Sequence, residues 1–136
     1  MINSTLILGK GFLGSNIFSQ IQKSGKNVFT TNHSNLKDNQ FNLDITNIDS
    51  IENCVSKINP DVIINCVADT RLDYLESHSD LANSVNAEGA KNVALIAKQF
   101  QSKLIHVSTD SVFDGKKGNY SEDDVPNPIN VYANSK

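Results

Sequence analysis

The feature that most restricts the fold of this chain is a regular alternation of short apolar segments with longer segments of helical periodicity. The fourth short segment, residues 61–67, is almost continuously apolar, as expected of a strand whose two faces are both covered. We predict strands at residues 5–8, 27–31, 41–44, 61–67 and 103–108. Strands that alternate with helices favour a parallel α/β sheet with right-handed crossovers.

Helical periodicity separates most of these strands. Apolar side chains recur at helical spacing from Phe12 to Ile21, and Gly25 ends that helix. Thr46 is expected to cap a second helix, which must end before Pro60. A third and longer helix is predicted from the apolar stripe of Leu81, Val85, Gly89, Val93, Ile96 and Phe100. The pattern indicates an α/β, Rossmann-like, doubly wound parallel sheet that is truncated after about five strands.

Composition excludes several classes of function. The chain is 38% hydrophobic and 20% charged with a net charge of −3, so we expect neither a nucleic-acid nor a membrane partner. Cys54 and Cys66 lie in an apolar helix pattern and an apolar strand pattern, which favours two buried, reduced thiols over a disulfide or a metal site. With no basic, apolar leader at the N-terminus, a cytoplasmic location is the expectation.

A glycine-rich loop follows the first predicted strand and opens the first predicted helix. Residues 9–14 read Gly-Lys-Gly-Phe-Leu-Gly and fit the pattern G-x-G-x-x-G. Glycines at these positions allow a tight turn and a close approach to a pyrophosphate, which the helix N-terminus then stabilises. The alternative is that the glycines serve only the turn. In its strand–turn–helix context the loop favours nucleotide binding.

The end of the second strand bears on which dinucleotide is bound. A site that prefers NAD usually has an acidic residue there, whereas this chain has Thr31, Asn32, His33 and Ser34. Hydroxyl, amide and imidazole donors without a carboxylate would accommodate a 2′-phosphate, and Lys37 would add charge. The sequence favours NADPH, with NADH as the alternative, although His33 could also be an ordinary surface histidine.

The last five residues carry a second chemical signal. Tyr132 and Lys136 are four residues apart, which places both on one face of a helix. An ammonium beside a phenol favours the phenolate, so the pair can serve as a proton donor. The same spacing also occurs by chance, and it gains weight here from the nucleotide-binding pattern and from its position after Thr109. Thr109 alone could simply cap the segment that follows the fifth strand.

Other polar residues allow plainer interpretations. Asp110 and Asp114 lie in a loop rich in Gly, Asp and Pro and are expected to be turn residues. His106 is expected to be a core histidine. Asn86 lies inside the predicted long helix, where it either bends the helix or is solvated. The acidic stretch at residues 73–80 is expected to be solvated.

Several segments together resemble the extended short-chain dehydrogenase/reductases, and within them the dTDP-4-dehydrorhamnose reductase family. The matching residues are 9–14, 43–46, 60–68, 85–86, 108–115 and 132–136. They follow the family order along the whole chain, and the Ser-Thr-Asp-x-Val-Phe-Asp-Gly block is the most specific. Three positions depart from the family pattern: the glycine loop is one residue shorter, Ser111 stands where an aromatic is common, and Ala133 replaces a glycine.

The resemblance assigns cofactor contacts to three segments. The glycine loop would cradle the pyrophosphate, residues 44–45 would lie beside the adenine, and residues 66–68 would line the path to the nicotinamide ribose. The implied residues are Gly9, Gly11, Phe12, Leu13, Gly14, Asp44, Ile45, Cys66, Val67 and Ala68. They join Asn32, His33 and Ser34 at the end of the second strand.

The resemblance also implies a reaction. Hydride would pass from NADPH to a 4-oxo sugar carbon of a nucleotide sugar while Tyr132 protonates the developing alkoxide. Thr109 would donate a hydrogen bond to that oxygen, and Lys136 would bind the ribose and lower the pKa of the tyrosine. No metal ligand set is implied, and a homodimer is allowed.

Residues 1–136 are therefore expected to form an NAD(P)-binding domain that is incomplete at its C-terminus and lacks a substrate domain. Such a chain would bind cofactor without reducing a sugar. Two alternatives remain open from the sequence. One is a non-catalytic NADP-binding regulatory subunit like the methionine adenosyltransferase β subunit, and the other is an NAD-dependent sugar-nucleotide epimerase or dehydratase.

Overall fold

A computed structural model describes residues 2–32 and 40–136. Its strands are β1 (Ser4–Leu8), β2 (Asn27–Asn32), β3 (Gln40–Asn42), β4 (Val62–Asn65) and β5 (Lys103–His106). Its helices are α1 (Phe12–Lys23), α2 (Ile48–Ile58), α3 (Leu72–Glu76), α4 (Ser79–Ala82), α5 (Gly89–Gln99) and α6 (Val131–Ser135). A π-helical turn (Asn83–Glu88) joins α4 to α5, and a 3₁₀ turn (Asp110–Val112) follows β5.

The five strands form one parallel sheet in the order β3-β2-β1-β4-β5. The register pairs Leu8 of β1 with Asn65 of β4, and Asn65 with His106 of β5, so the carboxyl ends of the three strands lie side by side. The predicted Rossmann-like α/β fold is confirmed. In such a sheet, ligands bind outside the carboxyl ends of the strands where the strand order reverses, here between β1 and β4.

Helices cover the sheet on both faces, as doubly wound connectivity requires. On one face, Leu6 and Leu8 pack with residues of α2 and α5, including Ile51 and Val93. On the other face, Ile7 belongs to a smaller cluster that the apolar side of α1 covers. The side chains of β1 thus alternate between two buried layers, which explains why this central strand is apolar throughout.

Four local predictions need correction. Asn47, and not Thr46, caps α2, because its side chain accepts from the backbone N–H groups of Asp49 and Ser50. Phe12 does not join the core: it opens α1 beyond the end of the sheet, and 91% of it is exposed. Cys66 is only half-buried, unlike Cys54. The stripe from Leu81 to Phe100 is not one regular helix, since the π-helical turn interrupts it.

Candidate active site

A cavity of about 470 Å³ lies at the carboxyl ends of the strands. The glycine loop, the end of β2, the segment after β3, the segment after β4 and the π-helical turn all contribute to it. Its lining residues are Gly9, Lys10, Gly11, Thr31, Asn32, Leu43, Asp44, Ile45, Thr46, Cys66, Val67, Ala68 and Val85. All four of the segments predicted from sequence to hold a cofactor therefore contribute residues to one cavity.

The glycine loop has a separate structural reason for each glycine. Gly9 has a φ of +85°, and a Cβ there would lie 3.0 Å from Val67 Cγ2. A Cβ on Gly14 would lie 2.0 Å from the carbonyl oxygen of Gly9, so α1 can begin this close to the loop only with glycine. A Cβ on Gly11 would meet nothing within 4 Å. Gly11 therefore borders open space, which fits a loop backbone that a pyrophosphate approaches closely.

The end of β2 is tied to the glycine loop. The buried side chain of Thr31 accepts a hydrogen bond from the backbone N–H of Gly9, over 3.2 Å. Thr31 and Asn32 line the cavity, and neither is acidic. His33, Ser34 and Lys37 lie outside the described residues. The absence of a carboxylate at the two described positions is compatible with a ribose 2′-phosphate.

Asp44 and Ile45 form a fixed corner of the cavity. Oδ1 of Asp44 accepts from both the backbone N–H of Thr46, over 2.9 Å, and its hydroxyl, over 2.7 Å. Ile45 is buried, and Gly89 at the start of α5 packs against it so closely that a Cβ would lie 2.9 Å from Ile45 Cγ2. These contacts hold one carboxylate at the cavity wall, where it can accept from an exocyclic amine.

The segment after β4 turns sharply into the cavity. Oδ1 of the buried Asn65 accepts from the backbone N–H of Val67 over 3.0 Å, which ends the strand and exposes residues 66–68 to the cavity. Nδ2 of Asn65 faces Nδ1 of His106 over 3.2 Å, so that ring nitrogen accepts. His106 is only half-buried, and burial, followed by the charge of Lys136, lowers its pKa.

The Tyr132–Lys136 segment reaches the same edge of the sheet. Nζ of Lys136 donates to the carbonyl oxygen of Val107 over 2.8 Å, directly beyond β5. Burial lowers the pKa of Lys136, and the neighbouring Cys66 opposes that shift. Burial likewise raises the pKa of the Cys66 thiol, with Lys136 acting in the opposite direction.

Helix α6 has only five residues, and surrounding side chains hold it. Asn130 caps it by accepting from the backbone N–H of Ala133 over 2.7 Å. Oε1 of Glu76, on α3, accepts from the backbone N–H of Val131 over 2.9 Å. Glu76 is exposed, as expected for the acidic stretch, and it also makes this specific contact with α6. A helix this short is not stable alone, so these tertiary contacts position Tyr132.

Asn86 joins α6 to the segment after β4. It is 2% exposed and lies in the π-helical turn, a distortion found often at functional sites. Its Oδ1 accepts from the backbone N–H of Asp69 over 2.8 Å, and its Nδ2 donates to the carbonyl oxygen of Asp69 over 3.0 Å and to Ser135 Oγ over 2.9 Å. The side-chain amide of Asn86 therefore ties the segment after β4, through Asp69, to α6, through Ser135.

Thr109 and Asp114 stabilise the turn and the loop that follow β5. The hydroxyl of Thr109 accepts from the backbone N–H of Ser111 over 3.2 Å and so caps the 3₁₀ turn. Asp114 accepts from the backbone N–H of Lys116, the hydroxyl of Tyr120 and the amide of Asn127, as expected of a turn residue. The hydrogen bond from Tyr120, followed by the other two, lowers the pKa of Asp114 to about 2.

Several cavity residues escaped the sequence analysis. Lys10, Leu43, Thr46 and Val85 line the cavity, although none was singled out as a cofactor contact. The signal for Lys10 was present, because it lies between two glycines that were identified. Within the described part of the chain, no group of three or more His, Cys, Asp or Glu side chains could hold a metal ion, and no helix could cross a membrane.

Comparison with known proteins agrees with this site. Residues 3–136 match the family described as RmlD substrate binding domain. The chain is 44% identical over 95 residues to the dTDP-4-dehydrorhamnose reductase of Aggregatibacter actinomycetemcomitans, a match that covers 69% of this chain and 32% of that protein. It is 32% identical over 126 residues to the methionine adenosyltransferase 2 subunit beta of Xenopus tropicalis, covering 93% of this chain and 38% of that protein.

A solved structure extends the comparison. The dTDP-4-dehydrorhamnose reductase of Bacillus anthracis, in complex with NADP, superposes with a TM-score of 0.86 at 35% identity, over 99% of this chain and 46% of that one. The chain thus spans less than half the length of these relatives. Because the family match runs through nearly all of its residues, this chain belongs to the RmlD substrate-binding domain family, within the extended short-chain dehydrogenase/reductases.

Proposed function

We propose that this chain supplies the cofactor-binding and proton-donating part of an NADPH-dependent reductase that acts on the 4-keto group of a nucleotide sugar. The observation that carries the proposal is the position of Lys136, whose Nζ donates to the carbonyl oxygen of Val107 directly beyond β5, at the edge of the sheet where the glycine-loop cavity lies. A nucleotide cavity and a Tyr/Lys pair on one sheet edge are what hydride transfer with protonation requires.

The residues present fit a dinucleotide. Open space beside Gly11 admits a pyrophosphate, the fixed carboxylate of Asp44 can accept from an adenine amine, and the end of β2 brings no acid to the ribose. The similarity to a reductase solved with NADP supports the choice of NADPH over NADH. NADPH, when bound, supplies the hydride. The described cavity residues of the glycine loop, the end of β2, and residues 44–45 and 66–68 would hold it.

The protein's own residues would supply the proton and position the substrate oxygen that accepts it. Tyr132 would give its proton to the developing alkoxide. Thr109 accepts from the backbone N–H of Ser111 and donates to Asp110 Oδ1 over 3.4 Å, a long hydrogen bond that its hydroxyl would exchange for one to the same substrate oxygen. A second cavity of about 630 Å³ shares Val67, Ala68 and Val85 with the first and would receive the sugar.

The test is a reductase assay on the protein that contains these residues at its full natural length, with NADPH and a dTDP-4-keto sugar. Tyr132→Phe should lower kcat by about 10²–10⁴-fold, the usual contribution of a positioned proton donor, without a matching loss of NADPH affinity. Tyr74→Phe is the matched control, since Tyr74 is an exposed tyrosine that stacks on His78 outside the cavity. Full activity of Tyr132→Phe would refute the proposal.

We further propose that residues 1–136 alone bind cofactor but do not turn over sugar, because the reductases they resemble are more than twice as long. Sugar reduction by the purified 136-residue chain would contradict this.

A non-catalytic regulatory subunit is the second candidate. It is favoured by the match to methionine adenosyltransferase 2 subunit beta, which extends over 93% of this chain. A full-length protein that binds NADPH, lacks reductase activity and co-purifies with a partner enzyme would favour this candidate. Turnover that depends on Tyr132 would favour the reductase.

A further inference from the structure

We propose that His106 is a positioning residue for the cofactor cavity: its neutral ring holds Asn65, Asn65 holds residues 66–68, and a proton on the ring displaces this wall of the cavity. The connection between these residues is independent of any ligand, whereas its effect on a dinucleotide rests on the proposed function. His106 does not itself line the cavity. Its influence therefore passes through the side chain of Asn65.

The side-chain amide of Asn65 has a different partner at each end. Asn65 is the last residue of β4 and is 1% exposed. Its Oδ1 accepts from the backbone N–H of Val67 over 3.0 Å, and its Nδ2 lies 3.2 Å from Nδ1 of His106. An amide oxygen only accepts and an amide nitrogen only donates, so this arrangement requires a His106 ring without a proton on Nδ1.

Val67 is the point at which this chain of hydrogen bonds reaches the cavity. Residues 66–68 line the cavity, and the glycine loop packs directly on Val67. A Cβ added to Gly9 would lie 3.0 Å from Val67 Cγ2 and 3.3 Å from the backbone nitrogen of Val67. A displacement of Val67 would therefore change both the wall formed by residues 66–68 and the packing of the loop at which a pyrophosphate is expected.

A proton on Nδ1 of His106 makes this set of contacts incompatible. Both ring nitrogens of an imidazolium are donors, so Nδ1 would face the amide nitrogen of Asn65, which is also a donor. Rotation of the amide would offer its oxygen to the ring, but it would also turn the amide nitrogen toward the N–H of Val67. In either arrangement one buried donor loses its acceptor, which is unfavourable. The segment after β4 is therefore expected to shift when His106 is charged.

The surroundings of the ring favour its neutral form. Burial first, and the charge of Lys136 second, lower the pKa of His106, and no carboxylate among the described residues offsets these effects. The strand β4 faces the ring with the uncharged Asn65, and α5 also packs against β5. The other titratable side chains of these elements are exposed or lie on the opposite face of the sheet: Lys91 and Lys98 of α5, Lys103 of β5, and Cys66 after β4. The ring is therefore expected to take up its proton only below the ordinary histidine pKa of 6.5.

The test is NMR spectroscopy of the 136-residue chain between pH 8 and pH 5. The ring resonances of His106 report its protonation, and the ¹H–¹⁵N resonance of Val67 reports the hydrogen bond to Asn65. His106→Asn keeps an acceptor oxygen near the position of Nδ1 and does not titrate, whereas His106→Leu fills a similar space without an acceptor. His78→Asn is the control, because His78 is an exposed histidine whose ring stacks on Tyr74 outside the cavity.

In the unmodified chain and in His78→Asn, the Val67 resonance should move with the same midpoint as the His106 ring. In His106→Asn it should keep its pH 8 position throughout, and in His106→Leu it should be displaced at every pH. A Val67 resonance that does not follow the His106 ring in the unmodified chain would overturn the inference. So would a Val67 resonance that moves equally in His106→Asn.

The affinity for NADPH, followed by nicotinamide fluorescence, is the second readout. From pH 8 to pH 5 we expect Kd to rise about three- to tenfold more for the unmodified chain than for His106→Asn, which is roughly the value of one hydrogen bond. The 2′-phosphate and His33 titrate in the same range, but they contribute equally to both proteins. Equal pH profiles for the two proteins would overturn the effect on the cofactor. If the unmodified chain binds no NADPH at pH 8, the proposed function fails, and the Val67 resonance still decides whether His106 controls this segment.

Discussion

Asn86→Ala removes a buried amide that holds two parts of the site together. The wild-type side chain makes three hydrogen bonds, two with the backbone of Asp69 and one with Ser135 Oγ. A net contribution of about 1 kcal/mol per hydrogen bond gives an expected loss of about 3 kcal/mol in the free energy of unfolding. That is a large part of the roughly 5–15 kcal/mol that stabilises a domain, so the variant should unfold at clearly lower urea concentration.

The assay is urea unfolding of the 136-residue chain followed by circular dichroism. Asn83→Ala is the control, since Asn83 is an exposed asparagine of the same π-helical turn, and its loss should stay within about 0.5 kcal/mol. A double-mutant cycle with Ser135→Ala should show a coupling of about 1 kcal/mol, because the two side chains share one of the three hydrogen bonds. Equal losses for Asn86→Ala and Asn83→Ala, or zero coupling, would refute the role assigned to Asn86.

Three further predictions concern the glycine loop, the loss of stability at acid pH and the thiol of Cys66. Gly14→Ala should destabilise the chain in a urea melt, because its Cβ would collide with the carbonyl oxygen of Gly9. Gly11→Ala should keep normal stability and lower the affinity for NADPH in a fluorescence titration. Equal urea midpoints for the two variants would contradict the structural role of Gly14 and the binding role of Gly11. Asp114 has a folded pKa of about 2, below its ordinary value of 3.8, so the stability it contributes is complete above that value and is lost as the pH falls toward 2. Asp114→Asn should flatten the fall in urea midpoint over that interval, and an unchanged slope would count against the hydrogen bonds assigned to Asp114. Burial raises the pKa of Cys66, so iodoacetamide should alkylate it more slowly than free cysteine at pH 7, and NADPH should slow the reaction further. Mass spectrometry of the labelled peptide measures both rates. An alkylation rate that NADPH does not change would place the cofactor elsewhere.

The sequence was most informative where a physical requirement is local. The glycine loop could be identified because a tight turn into α1 leaves no room for a side chain at Gly14. The strand pattern could be identified because β1 and β4 are buried on both faces. These features follow from neighbouring residues along the chain.

The sequence was less informative where a structural feature depends on residues that are distant along the chain or on the path of the backbone. Nothing in the acidic stretch at residues 73–80 indicates that Glu76 meets the first backbone N–H of α6, 55 residues later. The choice of Asn47 over Thr46 as a cap depends on the direction in which the chain enters α2, since Thr46 instead donates to Asp44. The π-helical turn could not be predicted, because an apolar stripe at helical spacing does not reveal an inserted residue.

The most direct test of the central claim is a ¹H–¹⁵N chemical-shift titration of the 136-residue chain with NADPH. The account predicts saturable shifts that cluster at the glycine loop, Thr31 and Asn32, residues 44–46 and residues 66–68, which line one cavity. Shifts confined to the surface around Glu76 and Pro128, or no saturable shifts at all, would contradict the claim that this sheet edge is a dinucleotide site.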